Sequence, residues 1–404
     1  MNRTFWLILT AVGSIFLAGA LASAEPRVTA LVGGTVVNLD GNPPLENAVI
    51  LVEEERITAI GSVGDIVVPR RATVIDTTDT WLIPGLMNMH VHLGLVLPGK
   101  MAEELADETE GELTLRMAKA ARETLEAGVT TIRTLDENDN RDLAVKSAID
   151  RGHIPGPRIF SAASSWRKIQ ISGGISDEQG AIAEPWISPE EMRSAVEEAT
   201  RAGAKVAAHS GSPQATISAI NAGVTSIEHG YFIDQPTLLE IKRQGAWFVP
   251  TIVVSQPATQ PFFERIGSPD WYLKRRNTVG KSHWLALRTA ITVGVNIALG
   301  SDQMPAEPND GTTATAREAQ YYVDAGMTPR QALRAATIEP ARMLGAESDI
   351  GSLEVGKYAD IVALAADPIK NIKALRTILL VMKDGYIYHE SLLASASLSL
   401  HGDN

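Results

Sequence analysis

The chain has no cysteine among its 404 residues. That absence excludes thiol nucleophiles, disulfide staples, iron–sulfur clusters, cysteine-built zinc sites and a lipidated N-terminal cysteine. Any metal held here must take nitrogen and oxygen ligands. Positive charge is also scarce: 36 Lys and Arg stand against 48 Asp and Glu, a formal net charge of −12. Phosphate neutralisation requires a basic surface, so the composition argues against a nucleic-acid binder. Beyond the N-terminus no uninterrupted apolar run is long enough to cross a bilayer. No G-x-G-x-x-G or G-x-x-x-x-G-K-[ST] stands between a strand and a helix, which weighs against an open doubly wound nucleotide-binding sheet. With 45% hydrophobic and 21% charged residues the composition is near the globular average, and disorder is excluded. A globular enzyme or binding protein remains.

The first segment reads as an address. Asn2 and Arg3 precede an apolar stretch from Phe5 to Leu21, followed by Ala22-Ser23-Ala24, the small-x-small pattern of a signal-peptidase site. The expectation is a signal peptide over residues 1–24 and an exported chain, periplasmic or secreted, with no stable membrane span once it is removed. The alternative is an uncleaved anchor, because the apolar run approaches the ~20 residues that span a bilayer.

Between residues 25 and 80, β-branched runs such as Ala48-Val-Ile-Leu-Val alternate with Gly, Asn, Asp and Pro turn signals. A second strand-rich stretch covers 346–392. Neither set can complete a sheet alone, so the two ends are expected to pair into a small β-sandwich. Residues 393–404 read as a poorly ordered tail.

In the middle, helix-like segments repeatedly end at a glycine followed by a short apolar strand: Gly128, Gly152, Gly203, Gly223, Gly245 and Gly294. A glycine at a helix C-terminus permits the left-handed turn that releases the chain into a strand. Repeated βα units of this number predict an α/β fold, a (β/α)8 TIM-like barrel over 81–345.

The candidate chemistry falls at predicted C-terminal strand ends, where barrels keep their active sites. Leu86-Met-Asn-Met-His90-Val-His92 puts two imidazoles on one strand face. Lys205-Val-Ala-Ala-His209 and Ser226-Ile-Glu-His229 each end a strand in histidine, and Asn296-Ile-Ala-Leu-Gly-Ser-Asp302 ends the last in a carboxylate. Half of the 8 histidines therefore gather on one face. Glu228, preceding a ligand, points to the opposite face by alternation and reads as structural. Arg133 and Asp136 end the second strand and are candidates to contact substrate or to position a ligand. His283 precedes the last strand, either reaching the pocket or lying on a solvated helix face, and Tyr231 is placed to donate to a substrate. His153 belongs to a turn, and His389 and His401 to the tail.

These motifs, in this order, resemble the metal-dependent amidohydrolase superfamily. Arg151-Gly-His-Ile-Pro-Gly-Pro-Arg158, Val206-Ala-Ala-His209, Ser226-Ile-Glu-His229-Gly and Gly351-Ser-Leu-Glu-Val-Gly-Lys-Tyr-Ala-Asp360 are similar to its imidazolonepropionase-related, Xaa-Pro-dipeptidase-like branch. The resemblance implies a binuclear site of two divalent ions, with zinc suiting imidazole and carboxylate ligands. It implies His90 and His92 on the more buried metal, His209 and His229 on the second, Asp302 binding metal and moving protons, and a carboxylated Lys168 bridging the two. The implied reaction is hydrolysis of a peptide-like amide by metal-bound hydroxide, with His229 or a nearby donor stabilising the oxyanion. A dipeptide or an N-acyl amino acid is the expected small-molecule substrate, cleaved in carboxypeptidase fashion, and some relatives hydrolyse ochratoxin-type amides. A cyclic-amide or lactone hydrolase is the alternative enzyme. A homo-oligomer is left open.

One feature departs from the relatives. From Ile159-Phe-Ser-Ala-Ala-Ser-Ser to Lys168 there is no room for a helical crossover, which needs at least ~10 residues. The barrel is therefore expected to lack or shorten its third helix, or to run the two strand signals together. Such a change threatens the position of Lys168 and prompts a further alternative, a catalytically degenerate metal- or ligand-binding homologue.

Overall fold

Six strands open the chain: β1 (Val28–Val32), β2 (Thr35–Val36), β3 (Ala48–Glu53), β4 (Arg56–Ser62), β5 (Thr73–Asp76) and β6 (Trp81–Pro84). They belong to a computed structural model that describes residues 26–135, 137, 140–302 and 313–392. The segment read as a signal peptide, the tail from 393 and Asp136 lie outside the described residues. The first sheet runs β4-β3-β1-β5.

A TIM-like barrel follows. Its strands are β7 (Leu86–Val91), β8 (Val129–Thr134), β9 (Arg158–Ser161), β10 (Trp166–Gln170), β11 (Lys205–Ser210), β12 (Ser226–His229), β13 (Trp247–Val249) and β14 (Asn296–Ile297). Helices α1 (Lys100–Glu104), α2 (Glu110–Glu126) and α3 (Asp142–Asp150) intervene among the first three strands. Then come α4 (Pro189–Arg201), α5 (Pro213–Ala222), α6 (Gln235–Gln244), α7 (Gln260–Arg265) and α8 (Asp270–Val293), with α9 (Ala314–Asp324), α10 (Pro329–Ala335) and α11 (Ile338–Leu344) after β14. α4 shows how local sequence makes such a helix. Ser188 and Glu191 form a reciprocal capping box, Pro189 occupies the first turn, and Met192, Val196 and Ala199 form the buried face. Burying Met192 and Val196 stabilises the fold by roughly 1.5–3 kcal/mol each. At the other end of the repeat, Gly223, Gly245 and Gly294 cap α5, α6 and α8 in the left-handed conformation.

The barrel strands form two parallel runs, β7-β8-β9 and β10 through β14. At one seam β14 meets β7 through Met89 N–H to the Leu299 carbonyl at 2.7 Å and Asp302 N–H to the His90 carbonyl at 2.9 Å. At the other seam the third helix is missing, and only residues 162–165 connect β9 to β10. Ser161 is level with Thr134 at the end of β8, whereas Trp166 is level with Lys205 at the start of β11. Those four residues form a turn closed by Ser164 N–H to the Ser161 carbonyl at 3.1 Å, and the two strands stay separate, each in its own run.

Three strands finish the chain: β15 (Ile361–Leu364), β16 (Ile378–Lys383) and β17 (Tyr386–Glu390). They join the N-terminal strands in the order β17-β16-β15-β6-β2. β6 pairs along its whole length with β15, so the sandwich extends beyond residue 80 to Pro84. His389, read as part of the tail, lies instead on β17 opposite Val381. The core between the sheets mixes both chain ends, Leu31, Ile50 and Leu82 with Ile361, Leu380 and Met382. Arg158 at the base of β9 locks sandwich to barrel: it pairs with Asp360 at 2.7 Å and with Asp384, its guanidinium over the Tyr358 ring. No helix among the described residues is long and apolar enough to cross a membrane.

Candidate active site

The close approach of β14 to β7 begins at Gly300, where a Cβ would lie 2.8 Å from His90 Cβ and 2.4 Å from Val249. A side chain there would push the last strand away, so glycine lets Asp302 come in under the first histidine pair. Asp302 Oδ1 lies 3.2 Å from His90 Nε2 and 3.1 Å from His92 Nε2. Its other oxygen is 3.7 Å from His229 Nδ1. One ligand atom from each of His90, His229 and Asp302 falls within 4.8 Å of the others.

The remaining sequence-derived candidates surround this group. Lys168 Nζ lies 3.4 Å from His90 Nε2, despite the absent helix before β10. β10 is pinned in parallel register to β11, with Lys168 opposite Ala207 and Gln170 opposite His209, and this pairing fixes the lysine without a crossover. The His209 and His229 rings meet edge-on with centroids 4.4 Å apart, and His90 and His229 are 4.8 Å apart. His209 Nε2 sits 3.2 Å from the Gly173 carbonyl, and a Cβ at Gly174 would press on its ring at 2.9 Å. Tyr231 stacks on His229 with centroids 5.2 Å apart and planes 8° apart. The structure thus brings His90, His92, Lys168, His209, His229, Asp302 and Tyr231 to one end of the barrel.

The electrostatics suit a cation. Burial, with Lys168 nearby, drives His209 down to about 3. Burial and His209 push His229 well below its ordinary value. Burial alone would raise Asp302, but the His90 and His229 imidazoles beside it, with His92 against the same oxygen, hold its carboxyl well below the usual carboxylate range. Neutral imidazoles facing an anionic carboxylate are the donor set that divalent zinc takes. The residues present fit such an ion.

Three readings of the sequence change. Arg133 does not face a substrate: it is fully buried, and its Nε, Nη1 and Nη2 donate to the Met89 carbonyl at 2.6 Å, Ser226 Oγ at 2.9 Å and Glu228 Oε1 at 2.8 Å. Glu228 does not face away from its neighbour ligand. It lies inside the barrel with Ser226, because His229 leaves the strand at φ 64° and alternation ends one residue early. His283 is neither solvated nor open to substrate. It is fully buried on α8, with Nδ1 2.8 Å from Ser255 Oγ and Nε2 2.6 Å from the Pro250 carbonyl. Burial pushes it down to about 4 although the Pro250 and His229 carbonyls pull it up, and it borders the site through the His229 backbone and the Tyr231 ring, 5.0 Å away.

Other contributors were missed. Thr251 Oγ1 lies 2.8 Å from His229 Nδ1 and is aimed there by a left-handed φ of 53°. Glu137 accepts from the Leu93 and Gly94 amides, holding the backbone just past His92. Asp177 accepts from Gly174 N–H and from Gln170 in the loop beside His209. Only Asp177, following Gly173-Gly174, carried a local turn signal; the other two act through backbone geometry that no spacing announces.

Residues 81–387 match the Amidohydrolase family. Ochratoxinase from Aspergillus niger is 27% identical over 422 residues, covering 87% of this chain and 84% of that one. Its crystal structure superposes with a TM-score of 0.76 over 91% of this chain and 96% of that one. A Xaa-Pro dipeptidase crystallised with methionine in its active site is 25% identical, with a TM-score of 0.82 over 90% of this chain and all of that one. A putative prolidase from Bifidobacterium longum is 28% identical, with a TM-score of 0.77 over 93% and 98% of the two chains.

Proposed function

The chain belongs to the amidohydrolase family and is a hydrolase acting on carbon–nitrogen bonds, and from that premise we propose that it cleaves the amide of a dipeptide or an N-acyl amino acid, releasing the C-terminal residue. Ochratoxin-type amides belong to the proposed range. The observation that carries the reading is the convergence of His90, His92 and Asp302 on one point, with Asp302 Oδ1 within 3.2 Å of both imidazoles.

The proposed centre holds two divalent ions, zinc by its donor chemistry, with His90, His92 and Asp302 on one side and His209 and His229 on the other. Lys168 is proposed to bridge them as a carbamate. An ammonium 3.4 Å from His90 Nε2 would repel a cation, whereas addition of carbon dioxide to the neutral amine, with loss of a proton, would give the side chain a carbamate whose oxygens are anionic donors. When bound, the ions supply the positive charge that acidifies a water and polarises the scissile carbonyl. Asp302, anionic and anchored through its own N–H to the His90 carbonyl, takes the water's proton and delivers it to the departing amine. Tyr231, its ring fixed against His229, has a hydroxyl available to donate to the substrate carbonyl or carboxylate. The continued presence of Lys168 at the site supports catalysis over degeneracy, since the missing helix has not displaced it.

Export is part of the same proposal and rests on Arg3, the Phe5–Leu21 run and Ala22-Ser23-Ala24. N-terminal sequencing of chain recovered from the periplasm or medium is expected to begin at Glu25. For the activity, metal-loaded and chelator-stripped protein are assayed against N-acyl amino acids, dipeptides, cyclic amides and lactones. Amide hydrolysis that disappears on stripping and returns with zinc is expected; hydrolysis only of cyclic substrates would replace the reading with its alternative.

A further inference from the structure

Beneath the histidine cluster lies a buried ion pair that no step of the proposed reaction uses. Glu228 and Arg133 are both fully buried. Glu228 Oε1 accepts from Arg133 Nη2 at 2.8 Å and from Ser226 Oγ at 2.5 Å, while Oε2 lies 2.8 Å from His90 Nδ1. Arg133 spends its other donors on the Met89 carbonyl and Ser226 Oγ, and its guanidinium carbon sits 4.4 Å over the Trp166 ring. The pair joins β8 to β12, and through the Met89 carbonyl and His90 it grips two consecutive residues of β7.

Stability alone does not account for this arrangement. Replacing a buried ion pair by apolar side chains of similar volume is often neutral or stabilising, whereas removing one partner leaves an uncompensated charge. Orientation does account for it. A carboxylate can only accept, so Oε2 assigns the His90 proton to Nδ1 and leaves the lone pair on Nε2. Nε2 is the atom that faces Asp302 and Lys168. Without Glu228 the proton would have a competing acceptor, Asp302 Oδ1 at 3.2 Å, and on Nε2 it would block the very atom required as a ligand.

We propose that Glu228, neutralised by Arg133, is the positioning residue that holds His90 in its Nδ1–H form and aims Nε2 into the centre. This inference rests on the metal reading above for its consequence, but the proton's location can be measured without metal. In metal-free chain labelled with 15N-histidine, the His90 signals are assigned by their loss in H90N. The wild type is expected to carry the proton on Nδ1. In R133M/E228L, which removes both charges at similar volume, the proton is expected to move to Nε2 against Asp302. Zinc affinity at this position, from competition with a chromogenic chelator, is expected to fall 10–100-fold. R133M/E228Q keeps an acceptor and is expected to restore the Nδ1–H form and most of the affinity. A wild-type His90 protonated on Nε2 overturns the proposal outright, whether or not any variant folds. So does a folded R133M/E228L with unchanged tautomer and affinity. A wild-type chain that takes up no zinc instead overturns the metal reading, and the tautomer still decides the role of Glu228.

Discussion

The two sides of the centre are built differently. On the side of β7 and β14, His90, His92 and Asp302 point at one another, and each is backed by close-packed backbone. Asp302 N–H binds the His90 carbonyl, Gly300 lets the strands touch, and Glu228 and Arg133 stand behind the first ring. On the side of β10 to β12, the donor groups contact neighbours as well as each other. His209 turns to the Gly173 carbonyl, His229 to Thr251, and Lys168 reaches across to His90. This second side also borders the seam that lost its helix. The contrast shows that a strand pair brought together by glycine can set a ligand group on a rigid, buried support, while a group spread over three strands depends on loops and on single hydroxyls to set its rings.

Breaking the first side is expected to have the largest effect. Asp302→Asn removes a ligand and the proton carrier together, and turnover on an N-acyl amino acid is expected to fall by about 10³-fold or more with the fold intact by circular dichroism. Activity within tenfold of wild type would contradict the assignment. On the second side, Lys168→Ala is expected to lower bound zinc from two equivalents to one, read by elemental analysis, and to cost turnover at least roughly 10²-fold. Two equivalents retained with normal turnover would remove the bridging role. Thr251→Val is the gentlest cut. It removes the hydroxyl against His229 Nδ1 while keeping the shape, and zinc binding is expected to weaken by about 10-fold on this side only.

Acidity probes the same contrast in metal-stripped protein. His209 and His283, held at about 3 and about 4 chiefly by burial, stay neutral in the fold but take up protons near 6.5 when unfolded. Their contribution is present above pH 6.5 and is lost as pH falls through their folded values, roughly 2 kcal/mol each by pH 5. Glu318 acts in the opposite sense. Burial pushes it up to about 8, against the pull of the Ile252 and Val253 amides, so its contribution is present below about pH 4.5 and is lost as pH rises through 8. Melting temperature is therefore expected to peak near pH 6.5 and to fall on both sides; a steady rise from pH 5 to 8 would show that Glu318 is ionised in the fold.

The histidine and aspartate positions were legible because each closes a local pattern. Before β11, β12 and β14 a helix gives way at a glycine to a short apolar strand with a ligand at or near its end, and on β7 His90 and His92 follow the alternation of one strand; the glycines named for this role carry positive φ, from 70° at Gly152 to 97° at Gly223. The pairing of both chain ends was legible because incomplete sheets seek partners, although β6 carried the sandwich four residues further than the turn signals indicated. Glu228 was misplaced for a different reason. Alternation assigns faces only while the backbone stays extended, and His229 turns left-handed just where the assignment matters. Likewise a basic residue at a strand end looks available for substrate until its acceptors are known.

By itself, then, the sequence determined the repeat of βα units, the identity of the nitrogen and oxygen donors and the short connection before Lys168, since all are set by residue type and spacing along the chain. Only the tertiary structure decided which side chains serve the donors. Arg133 and Glu228 are 95 residues apart and His90 and Glu228 are 138 apart, and such partners are chosen by barrel closure and by burial that makes every charge find a counterpart.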